Sequence, residues 1–153
     1  MKIKYYIIVL FIFFSSCEYK PVFYSENIKF SIVKFETDGN QKINKNIKKN
    51  IIKLGNHPNP NKRFKIKIKS NKSKKVTSKD SSGDPQSYKL SVIVNFQIED
   101  ENGEIELGEI NKNREYVTNE NKFDLKNYEQ TIEDNLTIQI ANEIILSLYS
   151  FKK

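Results

Sequence analysis

The chain has 153 residues, of which 26 are Lys or Arg and 19 are Asp or Glu, for a formal net charge of +7. One histidine, one cysteine and five glycines exclude an intrachain disulfide and argue against a histidine-based metal site, a Cys–His nucleophile and a glycine-rich phosphate loop. The length suits one domain with a modest core, burying roughly two-thirds of its unfolded surface.

The N-terminus reads as a targeting device. Lys2 and Lys4 precede the apolar run Tyr5 to Phe14, and Ser15 and Ser16 stand directly before Cys17, the chain's lone cysteine. A basic start, a short apolar stretch and small residues before the cut are the parts of a secretory signal, and about 10 apolar residues are too few to span a bilayer. Residues 1–16 are therefore expected to be a lipoprotein signal peptide and 17–24 a tether lipidated at Cys17. Residues 25–153 would be a single domain, with no cofactor beyond that covalent lipid. Each buried methylene of such an anchor contributes about 0.8 kcal/mol of membrane affinity. An ordinary secreted protein with a free cysteine is the other reading of the same residues. Removing Lys2 and Lys4 lowers the positive excess by two, and abundant Lys, Asn and Ile mark an AT-rich coding sequence, so clustering of charge matters more than its sum.

The first strand is expected over Ser25 to Glu36. Ile28, Phe30 and Ile32 alternate, while Val33 and Phe35 fall in the opposite phase, which predicts a bulge or burial on both faces. Ile43, Ile47, Ile51 and Leu54 recur at helical spacing opposite Lys42, Lys45, Lys48 and Lys49, so Asn40 to Leu54 reads as an amphipathic helix ended by Gly55. Pro58 and Pro60 make Asn56 to Asn61 a loop.

Phe64, Ile66 and Ile68 then alternate with Lys65, Lys67 and Lys69, placing an apolar row on one face of a strand and a lysine row on the other. Ser70 to Gln86, rich in Lys, Ser and Asp, reads as a long mobile loop. Tyr88, Leu90, Val92, Val94, Phe96 and Ile98 give six alternating apolar positions, so this sheet has one dry and one wet face. Asn102-Gly103 predicts a two-residue hairpin setting Ile98 opposite Leu107. A bulge at Gly108 would then return Ile110 and Tyr116 to the core, in an irregular edge strand. The last helix follows the stripe Leu125, Tyr128, Ile132, Leu136, Ile140, Ile144 and Leu148, with Asp124 as its N-cap. The order β-α-β-β-β-α is satisfied by an α+β two-layer sandwich, two helices packed on one face of a four-stranded mixed sheet.

No catalytic constellation is evident, and the chain does not read as an enzyme. His57 lies between Asn56 and Pro58 in a loop, and Asp100 with Glu101 flanks a turn, where solvated carboxylates are ordinary. The concentrated feature is basic: Lys62, Arg63, Lys65, Lys67, Lys69, Lys72, Lys74, Lys75 and Lys79. One reading is a solvated face; the other is an anion site for lipid phosphates and phosphosugars. Nucleic acid is not expected as a partner, because Phe64, Tyr88 and Phe96 point toward the core and offer no stacking platform.

The opening Cys17-Glu18-Tyr19-Lys20-Pro21-Val22-Phe23-Tyr24 resembles the Cys-Gly-Phe-x-Pro-Leu-Tyr start of alphaproteobacterial members of the lipopolysaccharide-assembly lipoprotein family, LptE. The run Tyr88-Lys89-Leu90, the Asp-Glu-Asn-Gly hairpin, the Arg114-Glu115-Tyr116 stretch and a long C-terminal helix follow in that family's order. Phe14 and Glu18 depart from the family's usual Leu and Gly. The resemblance implies an outer-membrane lipoprotein facing the periplasm and the lumen of the LptD β-barrel. It would plug that barrel, aid its assembly and bind lipopolysaccharide during transport to the outer leaflet. On that reading Lys72, Lys74, Lys75 and Lys79 are the candidate lipopolysaccharide-binding residues and Lys65, Lys67 and Lys69 a secondary basic face. The alternative is an envelope lipoprotein acting as a binding or adaptor module unrelated to lipopolysaccharide.

Overall fold

A computed structural model describes residues 29–55 and 57–151. Cys17, the expected signal and tether, and positions 25–28 of the expected first strand lie outside the described residues. The elements are β1 (Phe30–Gly39), α1 (Gln41–Gly55), β2 (Lys62–Lys79), β3 (Pro85–Asp100), β4 (Ile105–Val117) and α2 (Lys122–Ser150). They form one four-stranded sheet in the order β1-β2-β3-β4, with β1 parallel to β2 and the other pairs antiparallel. The expected α+β sandwich is the fold observed.

Alternation builds the core. Phe64, Ile66 and Ile68 of β2 and Leu90, Val92, Val94, Phe96 and Ile98 of β3 are buried beneath Ile43, Ile47 and Ile51 of α1 and Ile132, Leu136, Ile140, Ile144 and Leu148 of α2. At about 1.5–3 kcal/mol for each fully buried large aliphatic side chain, this set holds the domain without a crosslink. Edge-to-face rings close one end, with Phe30 6.0 Å from Phe64 and Phe64 5.3 Å from Phe151. Lys62 Nζ donates to the Phe151 carbonyl at 2.9 Å, satisfying one of the carbonyls that the end of α2 leaves free.

The bulge expected in β1 is present: the register to β2 shifts between Ile32 and Lys34. Asn40 caps α1, its side-chain oxygen accepting from Ile43 N at 3.1 Å. The cap of α2 is Asn121, not Asp124. Asn121 Oδ1 accepts from Phe123 N and Asp124 N, while Asp124 sits in the first turn, where a carboxylate favours the helix dipole.

The largest departure concerns residues 70–86, which are not a mobile loop. β2 continues to Lys79, paired with β3 through a bulge near Val76, and only Asp80 to Asp84 form the connection. Asp80 Oδ1 accepts from Ser82 N and Asp84 N, and Gly83 takes φ +89°. The β3–β4 turn repeats this design: Asp100 Oδ1 accepts from Asn102 N and Glu104 N, and Gly103 takes φ +82°. Each is a three-residue loop with a positive-φ glycine, and the β3–β4 loop is one residue longer than the two-residue turn expected there. Ile98 therefore pairs with Glu106, and Leu107 with Gln97.

That shift places Ile105 and Leu107 on the open face of the sheet, 54% and 72% exposed. It also brings Ile110 and Tyr116 into the core in unbroken register, so β4 is an edge strand as expected but carries no bulge. Gly108 instead makes room for a ring. It pairs with Phe96, and a Cβ at this position would lie 2.3 Å from Phe96 Cζ.

Candidate functional site

Period-two geometry sorts the basic residues of β2 onto two faces. Lys65, Lys67 and Lys69 stand on the open face, opposite the helices. Lys65 pairs with Glu99 at 2.8 Å and Lys69 with Asp38 at 3.2 Å, and on β1 Lys34 pairs with Glu36 at 2.6 Å. Hydrogen bonding from Lys69, with the Gly39 amide and the Lys69 charge adding to it, holds the Asp38 carboxyl below its usual range. This face is thus a lattice of alternating charges around a shallow hollow lined by Lys34, Glu36, Lys65, Ile66, Lys67, Gln97 and Glu99. Lys67 faces both Glu36 and Asp38 without a close ion pair of its own among the described residues.

Lys72 and Lys74 continue the row of Ile66, Ile68 and Ser70, and so face the helices. They are not the loop lysines expected from the sequence. Lys72 Nζ donates to Glu133 Oε2 at 2.6 Å, and Lys42 of α1 approaches the other oxygen of that carboxylate at 2.8 Å. Lys74 pairs with Glu129 at 2.5 Å, and the Tyr116 hydroxyl donates to the same Glu129 oxygen at 2.8 Å. Lys74 also lies 3.9 Å from the centre of the Tyr88 ring, which stacks on Tyr116, whose edge meets Tyr128.

The carboxyls respond to competing influences. Burial raises both Glu129 and Glu133, but the hydrogen bonds and charges around them outweigh it, from Lys74 and Tyr116 in one case and Lys42 and Lys72 in the other, so each lies below its ordinary value. Burial, reinforced by Glu129, pushes the Tyr116 phenol up.

Lys75 and Lys79 remain. Both are exposed at the far end of the β2–β3 hairpin, and neither has an ion-pair partner among the described residues. Arg114 joins them at this end of the sheet, on the helix-facing row beside Leu90. It lines an open groove against α2 with Tyr128, Thr131, Ile132, Asn135, Leu136 and Ile138. Sequence reasoning did not place Arg114 in a site; its parity with Tyr116, two residues on, is the signal that puts it on the helix side of β4. The four loop lysines are therefore not one cluster: Lys72 and Lys74 are paired with carboxylates on α2 while still reaching water, and Lys75 and Lys79 have no ion-pair partner among the described residues. His57 is exposed, and among the described residues no group of three His, Cys, Asp or Glu is placed to hold a metal. No helix among them is long and apolar enough to cross a membrane.

A family model described as "LptE: Lipopolysaccharide-assembly" matches residues 30–148, from the first residue of β1 to the last turn of α2. The chain belongs to the LptE family. Its role accordingly lies in lipopolysaccharide assembly and transport at the cell envelope, and the adaptor-module alternative gives way to it. Solved structures show the same fold at low identity. Rare lipoprotein B from Shewanella oneidensis aligns with a TM-score of 0.62 and 13% identity, over 80% of this chain and 96% of its own. A minor lipoprotein from Acinetobacter baumannii gives 0.58 and 17%, over 82% and 95%, and lipoprotein B from Nitrosomonas europaea gives 0.61 and 13%, over 81% and 84%. No curated protein sequence matches the chain.

Proposed function

We propose that this LptE-family protein is an outer-membrane lipoprotein, acylated at Cys17, that seats inside a large LptD-type β-barrel, supports its assembly and binds lipopolysaccharide in transit. The observation that carries this reading is the family match across the whole sandwich. The sheet's open face supports it where β1, β2 and β3 carry the ion pairs Lys34–Glu36, Lys65–Glu99 and Lys69–Asp38: these charges suit the polar interior of a wide barrel and would be costly against lipid, while Ile105 and Leu107 give the β4 side an apolar strip. The protein acts by binding, not by turnover. Within the basic hairpin, Lys75 and Lys79 are free to meet phosphates as point charges, whereas Lys72 and Lys74 are committed to Glu133 and Glu129.

Purification of the tagged protein from detergent-extracted membranes tests the partner. A large outer-membrane barrel should accompany it in stoichiometric amount, and depletion of the protein should lower the amount of folded barrel. Recovery without a barrel, in detergent that keeps other barrel complexes intact, overturns the assignment. For the ligand, Lys75→Glu with Lys79→Glu should weaken lipopolysaccharide capture while leaving the fold intact.

A further inference from the structure

One edge of the sheet carries an unused hydrogen-bonding pattern. β4 pairs with β3 alone, in a single register from Ile105 to Val117, with neither a bulge nor a proline. The bonds that flank this ladder set its phase. Asp100 N donates to the Glu104 carbonyl and Thr118 N to the Gln86 carbonyl, and bonding alternates residue by residue along an antiparallel pair. The even-numbered residues of β4 are therefore bonded to β3. The odd-numbered ones, from Ile105 to Val117, turn both N–H and C=O outward, where no described residue bonds to them. This free edge runs about 44 Å at 3.4 Å per residue. β1, the opposite edge, is interrupted by the register shift between Ile32 and Lys34.

The side chains beside that edge add a second observation. On the helix side of β4, Lys112 pairs with Glu143 of α2, and the Tyr116 hydroxyl donates to Glu129. Arg114 stands between them in the same row, exposed and without an ion-pair partner among the described residues. At its level α2 presents Thr131, Asn135 and Gln139, all neutral, with Tyr128 and Ile138 partly exposed beside them. The groove thus holds a cation and no acid of its own. On the open side of the sheet, Ile105 and Leu107 are exposed aliphatic residues at one end of the same edge.

We infer that β4 is a strand-addition site for an extended segment of a partner protein, antiparallel to β4, with a carboxylate opposite Arg114 and aliphatic side chains opposite Leu107 and Ile105. Outward N–H and C=O groups in strand register match a peptide main chain, and the flanking side chains select its sequence. Toward an added strand, position 114 belongs to a non-hydrogen-bonded pair, where facing side chains come closest. There the arginine fork can meet a carboxylate through two hydrogen bonds. Positions 114 and 107 have opposite parity, so the acid would lie on the helix side of the added strand and the aliphatic residues on its open side. One more strand widens the sheet by about 4.8 Å and leaves its open face toward the proposed barrel lumen. The inference deepens the proposed function by naming how a segment of the protein partner is held, and rests on that reading only for the partner's identity.

The probe is a fluorescein-labelled peptide, Glu-Thr-Ser-Thr-Ser-Thr-Ser-Ile-Thr-Ile, whose antiparallel register sets Glu opposite Arg114 and the two Ile opposite Leu107 and Ile105. Its binding to residues 17–153 with Cys17→Ser is followed by anisotropy. Exchanging the peptide's Glu for Gln should weaken binding about threefold, and Arg114→Gln should do the same, with little further loss when the two are combined. Asn111→Pro removes an outward N–H without touching a bond to β3 and should weaken binding about tenfold or more. Hydrogen exchange gives a readout that adhesion to the surface would not move: bound peptide should slow the odd-numbered amides over 107–115 and leave the even-numbered ones as they were. Circular dichroism checks that each variant is folded; if Asn111→Pro is not, the Arg114→Gln and exchange results decide. Absence of binding, binding indifferent to the peptide's Glu, or protection without the odd–even alternation overturns the inference. So does a dimer of the peptide-free chain that Asn111→Pro abolishes, since the edge then belongs to a second copy. The barrel purification described above reads the proposed function separately, because a barrel recovered with the protein upholds that function whatever the peptide does.

Discussion

Lys72 Nζ, on a strand, lies 2.6 Å from Oε2 of Glu133, on the helix that covers it, and that glutamate is only 5% exposed. With Lys42 approaching from α1 at 2.8 Å, one carboxylate joins three elements. Truncating it leaves two ammonium groups facing each other. Because both lysines reach partly into water, Glu133→Ala should cost about 1–3 kcal/mol, less than breaking a fully buried pair. Urea unfolding should show a lower midpoint with an unchanged slope. Lys72→Met, which leaves Lys42 in place, should cost less than Glu133→Ala.

The same carboxyls set an acid limit. Burial works against ionisation of Glu129 and Glu133, but their lysine and tyrosine partners prevail, and the folded values lie below the ordinary 4.5. A group depressed on folding contributes stability above its unfolded value and loses that contribution as pH falls through the folded one. Thermal midpoints should therefore be level toward neutrality and decline once pH drops below the ordinary carboxylate range. In Glu133→Gln the decline should be shallower. An unchanged pH profile in that variant would remove Glu133 from the account.

Gly108 and Phe96 occupy one space. Gly108→Ala drives a methyl into the ring and should destabilise by about 1–3 kcal/mol, as overpacking does. Combining it with Phe96→Leu should recover part of that loss, a coupling readable in a double-mutant cycle. Strictly additive effects would show that the ring does not fill the position.

If β2 and β3 pair as far as Lys79 and Pro85, amide protons along 71–79 should exchange slowly at the positions bonded to β3. A loop over 70–86 would lose them all at once. Asp80→Ala removes the acceptor that closes the turn and should cost about 0.5–2 kcal/mol, by analogy with the loss of a side-chain cap.

Much of the fold was legible where one residue's environment depends on its near neighbours. Ile43, Ile47 and Ile51 announced α1, and Tyr88 to Ile98 announced β3, because burial of a single face imposes the period of the element. Lys72 and Lys74 broke the rule. They stand at inward positions, and the carboxylates that make this tolerable are 61 and 55 residues away on α2. No local pattern contains that compensation, so a strand looked like a solvated loop. The turn itself was readable: Asp80-Ser81-Ser82-Gly83 repeats the chemistry of Asp100-Glu101-Asn102-Gly103, an aspartate whose side chain closes a loop ending in glycine. The candidate site was legible as composition but not as arrangement. Neighbouring lysines share a segment yet point alternately to opposite faces, and only tertiary partners decide which of them are free.

The recovery of residues 70–79 as strand also sets a length scale. β3 has 16 residues, which at about 3.4 Å each make a strand roughly 50 Å long. The apolar wall of an outer-membrane barrel is only about 25 Å tall. A sheet inserted lengthwise in such a barrel cannot be contained by it, so one end must stand clear of the membrane. The two Asp-x-x-Gly turns lie at opposite ends of β3, and in the proposed barrel complex whichever of them is outside would mark how deep the protein sits.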